Sequence, residues 1–194
     1  MFKKPSCCTY LNKKIVLASS SPQRISLLKQ WGFSFESVPS EIDEQTSFVK
    51  PSFMVKDIAY KKGFCVACMY PDALILAADT IVVLNGKVFG KPKNKQESET
   101  MIRLLNGSRH SVYTGVAIIQ GDKKSVFYDV VHIKMKKIPE YELKQLFGKH
   151  TDKAGSYAIQ DHDDNFVDKI YGDRYTAVGL PYTKLVKELE RFWN

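Results

Sequence analysis

The sequence predicts an α/β fold, and three observations carry that reading. Strand-like and helix-like patterns alternate along the chain, the run from Leu74 to Leu84 is apolar enough for a strand covered on both faces, and 44% of the 194 residues are hydrophobic. That is enough core to fold without disulfides or a structural metal. No repeat, low-complexity tract or linker divides the chain, so residues 1–194 are expected to form a single domain.

The elements follow in order. A strand over Lys14 to Ala18 runs into Ser19-Ser20-Ser21-Pro22, where Ser21 is placed to cap a helix and Pro22 to occupy its first position. Ile25, Leu28 and Trp31 then recur at helical spacing until Gly32 stops the helix. A short strand over Phe33 to Val38 precedes a second helix, Phe53 to Met69, whose expected buried stripe is Met54, Ile58, Cys65 and Met69. Lys62 falls inside that stripe, so it either snorkels off the core or reaches into a site, snorkelling being the commoner outcome. After the Leu74–Leu84 strand, Asn85-Gly86 makes a turn, and Asn94 with Glu97 forms a capping pair for a helix over Lys95 to Asn106, ended by Gly107. Strands over Ser111 to Ile119 and Ser125 to Met135 form a hairpin, the second with Val131, Ile133 and Met135 inward and His132 outward. A helix over Pro139 to Phe147, a strand over Asn165 to Ile170 and a helix over Pro181 to Trp193 complete the pattern.

Chemistry concentrates where strands give way to loops. Asp79 is the only charged residue in its strand, and a carboxylate taken out of water without a partner costs several kcal/mol. It therefore has to be paired, metal-bound or open to a cleft, which is where catalytic carboxylates sit, or else it caps a neighbouring turn. The serine-rich helix start gathers backbone N–H groups, hydroxyls and the guanidinium of Arg24 at one place, which suits a phosphate. It lacks the glycines and Lys-Ser/Thr pair of a Walker A loop, and an ordinary helix cap is the commoner meaning of such a turn. Glu41-Ile-Asp43-Glu44 offers three carboxylates to a hard cation or forms an acidic surface turn, and Gly90-Lys91-Pro92 holds a lysine on a stiff loop. No nucleophilic triad is readable. Cys65 and Cys68 read as apolar packing residues inside a helix, Cys7 and Cys8 make a poor second ligand pair, and His110, His150 and His162 show no ligand spacing, which argues against metal binding through imidazoles. The inventory fits hydrolysis of a phosphate ester or anhydride, with a divalent cation and cationic side chains carrying the charge.

Six segments resemble, in order, the signature blocks of the Maf family of nucleoside triphosphate pyrophosphatases, the septum-formation-inhibitor-like proteins. They are Ile15-Val-Leu-Ala-Ser-Ser-Ser-Pro-Gln-Arg24, Glu41-Ile-Asp-Glu44, Ala78-Asp-Thr80, Gly90-Lys-Pro92, Lys153-Ala-Gly-Ser-Tyr-Ala-Ile-Gln160 and Val178-Gly-Leu-Pro181. The resemblance implies a mixed, twisted α/β sheet with flanking helices forming two lobes around a cleft, similar to inosine triphosphate pyrophosphatases, in a cytoplasmic homodimer. It implies release of pyrophosphate from a nucleoside triphosphate with Mg2+ or Mn2+. Asp79 matches the family's proton acceptor, and Glu41 a catalytic acidic position that with Asp79 would hold the metal. Ser21, Arg24, Lys62 and Lys91 match positions that contact phosphates or line the site.

Arg24, Thr80 and Gln160 match the specificity residues of the subgroup acting on dTTP and UTP. A glutamine amide has both a donor and an acceptor, so Gln160 complements the imide edge of uracil or thymine, though a flipped amide suits cytosine equally. Two departures stand out: Gln23 where arginine is usual, and Asp161-His-Asp-Asp-Asn165 where glycine and small residues are usual, which points to slower turnover or a modified pyrimidine nucleotide. The net charge of +8 leaves a competing reading as a basic nucleic-acid-binding or nucleotide-sensing protein in division control. Its lysines gather on no recognisable nucleic-acid-binding element, so nucleic acid is not the expected partner. The longest apolar run is too short to span a bilayer and no signal-peptide core opens the chain, so a cytoplasmic protein without a membrane segment is expected.

Overall fold

The structure, a computed structural model, describes residues 14–193. Cys7, Cys8 and the side chain of His162 lie outside what it describes. Seven strands form one sheet in the order β2-β1-β3-β5-β6-β7, with β4 paired to β3 outside that path. Strands β1 (Ile15–Leu17), β2 (Glu36–Ser37) and β3 (Leu74–Leu84) pair in parallel, whereas β4 (Lys87–Phe89) runs antiparallel to β3. β5 (Arg109–Gln120) and β6 (Lys123–Met135) make the expected hairpin, and β7 (Val167–Tyr171) lies antiparallel to β6. The sheet is mixed, and helices α1 (Pro22–Gln30), α2 (Pro51–Met69), α3 (Lys95–Leu105), α4 (Glu140–Leu146), α5 (Arg174–Val178) and α6 (Tyr182–Trp193) accompany it. No described helix is long and apolar enough to cross a membrane.

The chain divides into two compact units, and β3, β5 and β6 each contribute to both. The first unit holds residues up to Asp79, with 114–129 and 179 onward. Its core packs small side chains, Ala18, Ala59, Ala77 and Ala117, with Val16, Ile75 and Ile119. This explains why α2 buries a different stripe from the one expected. Met54 and Cys65 are only half-buried and Met69 and Cys68 are exposed, while Ser52, Val55, Ile58, Ala59, Lys62, Gly63 and Val66 face inward. Small residues win because they let the helix backbone approach the strands. A Cβ on Gly115 of β5 would lie 2.2 Å from the Val55 carbonyl oxygen, and one on Gly63 would lie 3.1 Å from Ile119.

The second unit, residues 80–113 and 130–178, has the larger side chains: Phe89, Met101, Leu105, Ile133, Leu146 and Phe166 among others. The Asn85-Gly86 turn has φ of 50° and 79°, as a two-residue hairpin requires. Asn94 Oδ1 accepts from the Glu97 amide at 2.9 Å, the expected cap, and Glu97 returns the contact to the Lys93 amide rather than to Asn94 itself. The short helix α5 has too little sequence to show a period.

Candidate active site

In the first unit, charged groups meet around Asp79, midway along β3. Asp79 is 5% exposed and accepts a hydrogen bond from Lys62 Nζ at 2.8 Å. Lys62 itself is 8% exposed, so it does not snorkel. The same ammonium is 2.8 Å from Glu44 Oε1, so one cation bridges two carboxylates. The acidic loop is also tied to α2 by the next lysine back, since Lys61 Nζ donates to the Gln45 carbonyl at 2.9 Å and pairs with Asp57 at 2.7 Å. Of the three acids in this loop, Glu44 is the one that reaches Lys62. Glu41 is exposed and makes no ion pair among the described residues, and Asp43 accepts from the Gln45 amide within its own turn.

Arg24 belongs to the same constellation. Burial lowers its pKa, and the charges of Asp79 and Glu44 pull it back up. Its Nε donates to the Gly179 carbonyl at 3.1 Å and its Nη1 to Ser19 Oγ at 3.3 Å. Gly179 has φ of 117°, and a Cβ there would sit 3.0 Å from Arg24 Nε. The glycine of Val178-Gly-Leu-Pro181 thus lets the backbone close on the guanidinium, a role the sequence pattern alone did not show.

Ser21 occupies the N-cap position ahead of Pro22, but its hydroxyl does not cap the helix as expected. It donates to Gln23 Oε1 at 2.9 Å, while the Ser21 amide donates to Ser19 Oγ. The departure at Gln23 therefore engages the very hydroxyl that the resemblance assigns to phosphate.

Thr80, Lys91 and Gln160 lie in the second unit: Thr80 half-buried, Lys91 and Gln160 exposed. The loops bearing the last two are fastened together, because the Gly155 amide donates to the Gly90 carbonyl at 3.0 Å. Gly155 has φ of 71° and its Cα faces Val82 and Leu105, leaving no room for a side chain. Ser156 Oγ lies 2.6 Å from Ser98 Oγ, which also accepts from the Gly148 amide at 2.8 Å. A Cβ on Gly90 would meet nothing within 4 Å, so that glycine answers no steric demand of its neighbours. Asp161, expected to add charge after Gln160, is paired with Lys149 at 2.9 Å, which holds its carboxyl below the usual range.

A family profile described as Maf-like protein matches residues 14–192. The chain belongs to this family. Among Maf relatives, it is 45% identical over 180 residues to a protein of Elusimicrobium minutum named dTTP/UTP pyrophosphatase, covering 90% of this chain and 98% of that one. It is 43% identical to similarly named proteins of Bacillus cereus, covering 93% of this chain and 90% of that one, and of Shouchella clausii, covering 91% and 94%. Among solved structures, the Ham1 protein of Staphylococcus aureus shares the fold, with a TM-score of 0.51 at 16% identity over 91% of this chain and all of that one.

Two carboxylates converging on one ammonium provide the oxygen donors that Mg2+ or Mn2+ prefers. The donor set of Asp79 and Glu44 therefore fits a hard divalent cation.

Proposed function

We propose that this Maf-family chain hydrolyses dTTP and UTP to the monophosphate and pyrophosphate. Support comes from the curated relatives of that name, at 43–45% identity over nine-tenths of the chain, and from this chain's Lys62–Asp79–Glu44 ion cluster, the observation that carries the chemistry. Asp79 and Glu44 would hold a Mg2+ or Mn2+ ion, which would supply positive charge to the triphosphate. An arriving triphosphate competes for the Lys62 ammonium and for the Arg24 guanidinium, which frees the Asp79 carboxylate. Asp79 then takes a proton from the attacking water as the oxygen bonds to the α-phosphorus and the bond to the β-phosphate oxygen breaks. Lys62 and Arg24 are positioned to neutralise the charge that develops on the pyrophosphate. Lys91, Thr80 and Gln160 keep the roles that the family resemblance gives them, Lys91 toward phosphate and Thr80 and Gln160 toward the base. Cytoplasmic placement and a homodimer belong to the same proposal.

The test is incubation of the purified chain with Mg2+ and dTTP, UTP, CTP, 7-methyl-GTP or 5-methyl-UTP, scoring monophosphate with pyrophosphate separately from diphosphate with phosphate. The reading expects monophosphate and pyrophosphate from dTTP and UTP at several-fold or more the rate from 7-methyl-GTP. Diphosphate and phosphate as products, or no turnover by folded protein, would overturn it. Sedimentation in the same buffer reads the dimer.

A further inference from the structure

The second unit holds another cluster of ligand-type side chains, unrelated to Asp79. His150, 7% exposed, places Nε2 2.6 Å from Asp164 Oδ2 and 3.6 Å from Asp161 Oδ2. One ligand atom from each of the three residues lies within 4.8 Å of the others, and no other group of three or more such residues converges in this way among those described. The Lys149 ammonium already stands between the two carboxylates, at 2.9 Å from Asp161 and 2.5 Å from Asp164. A positive charge at this place is thus what the carboxylates select.

From this we infer that His150 Nε2, Asp161 and Asp164 form a binding site for a borderline divalent cation of the zinc or cobalt type. Metal–ligand bonds of about 2.1 Å in a tetrahedron put ligand atoms about 3.4 Å apart. The His150–Asp161 separation of 3.6 Å is already near that value, and the His150–Asp164 hydrogen bond must open. One imidazole with two carboxylates favours zinc-like ions over magnesium, which prefers oxygen alone. The frame is prearranged: the Lys149 amide bonds back to the Leu146 carbonyl, the His150 carbonyl accepts from the Lys153 amide, and Asp164 ends a turn of 3-10 helix. Binding displaces the Lys149 ammonium and the His150 Nε2 proton and ties the loop after α4 to the segment following Gln160. The site uses none of the residues assigned to hydrolysis, so it stands or falls independently of that activity.

Calorimetric titration of the chelator-stripped full chain with Zn2+ tests the site. Wild type should bind with a micromolar or tighter Kd in a phase that Asp79→Asn retains. His150→Gln and Asp161→Asn should each weaken that phase at least tenfold, and Lys149→Gln, which removes the competing ammonium, should tighten it several-fold. If His150→Gln fails to fold, Asp161→Asn decides, since that side chain is only partly buried. Co2+ bound to wild type should show imidazole nitrogen coupling in its pulsed electron-spin spectrum. The same isotherm for wild type and Asp161→Asn, or weaker binding by Lys149→Gln, would overturn the site and leave a simple ion cluster.

Discussion

Lys62 and Lys149 make the same contact in different surroundings. Each ammonium bridges two carboxylates, Lys62 between Asp79 and Glu44 and Lys149 between Asp161 and Asp164. Lys62 projects from a 19-residue helix onto a buried strand and keeps 10% of its side chain exposed, whereas Lys149 projects from a loop and keeps 41%. Burial is what separates them. Taking both charges out of water makes Lys62 and Asp79 depend on each other, while the exposed ammonium of Lys149 stays in reach of solvent and is easier to exchange, although its partner Asp164 is itself buried. The first arrangement suits a reaction centre that must hold unfavourable charge in place; the second suits a site where one cation replaces another.

The sharpest way to break this contrast is to remove each ammonium in turn. Lys62→Met leaves the Asp79 carboxylate buried without its cation, and is expected to cost about 3 to 5 kcal/mol in urea denaturation, less if Asp79 takes up a proton. Lys149→Gln removes an ammonium that is 41% exposed and leaves Asp164 its His150 partner, so it should cost less than Lys62→Met. Equal shifts for the two would mean that burial does not separate the clusters. Next in size is Gly115→Ala. Its methyl would collide with the Val55 carbonyl on the helix that carries Lys62, so a loss of about 1 to 3 kcal/mol or more is expected, together with weaker nucleotide binding.

A gentler test uses pH in the second unit. His110 is buried with Nε2 2.7 Å from the Tyr157 hydroxyl, and burial drives its pKa from 6.5 down to about 4. The same burial raises the Tyr157 pKa, so the phenol stays protonated. Between pH 6.5 and 4 the unfolded chain holds a proton that the folded chain lacks. The stability this residue contributes is therefore full above about pH 6.5 and is lost as pH falls toward 4, at up to ~1.4 kcal/mol per pH unit. A His110→Leu variant should flatten that part of the stability profile. An unchanged slope would show that His110 is protonated in the fold.

What was legible in the sequence was legible for a physical reason. A lone aspartate in an apolar strand and a lysine in an apolar helical stripe conflict with burial, so both announce themselves. β3 runs from Leu74 to Leu84 as the apolar run indicated, and the Asn94 cap and both hairpins follow from local turn chemistry. The inward face of α2 was misread because large side chains were weighted over Ala59, Gly63 and Val66, although close approach to the sheet selects small ones. That Glu44 reaches Lys62 while Glu41 stays exposed depends on the path of the loop, which has no period to read. His150 was set aside as partnerless because its partners come from a loop and a short turn, where spacing along the chain says nothing of distance in space.

The central claim is that Asp79, held by Lys62 beside Glu44, is the group that activates water, and the most direct measurement is the dTTP turnover of Asp79→Asn. An amide is close in shape to the carboxylate but cannot accept the proton. The account predicts a fall in kcat of about 10² to 10⁴ or more, with cooperative unfolding and Zn2+ binding through His150 retained. Near-wild-type turnover by the folded variant would contradict it and move the search for the base to Glu44.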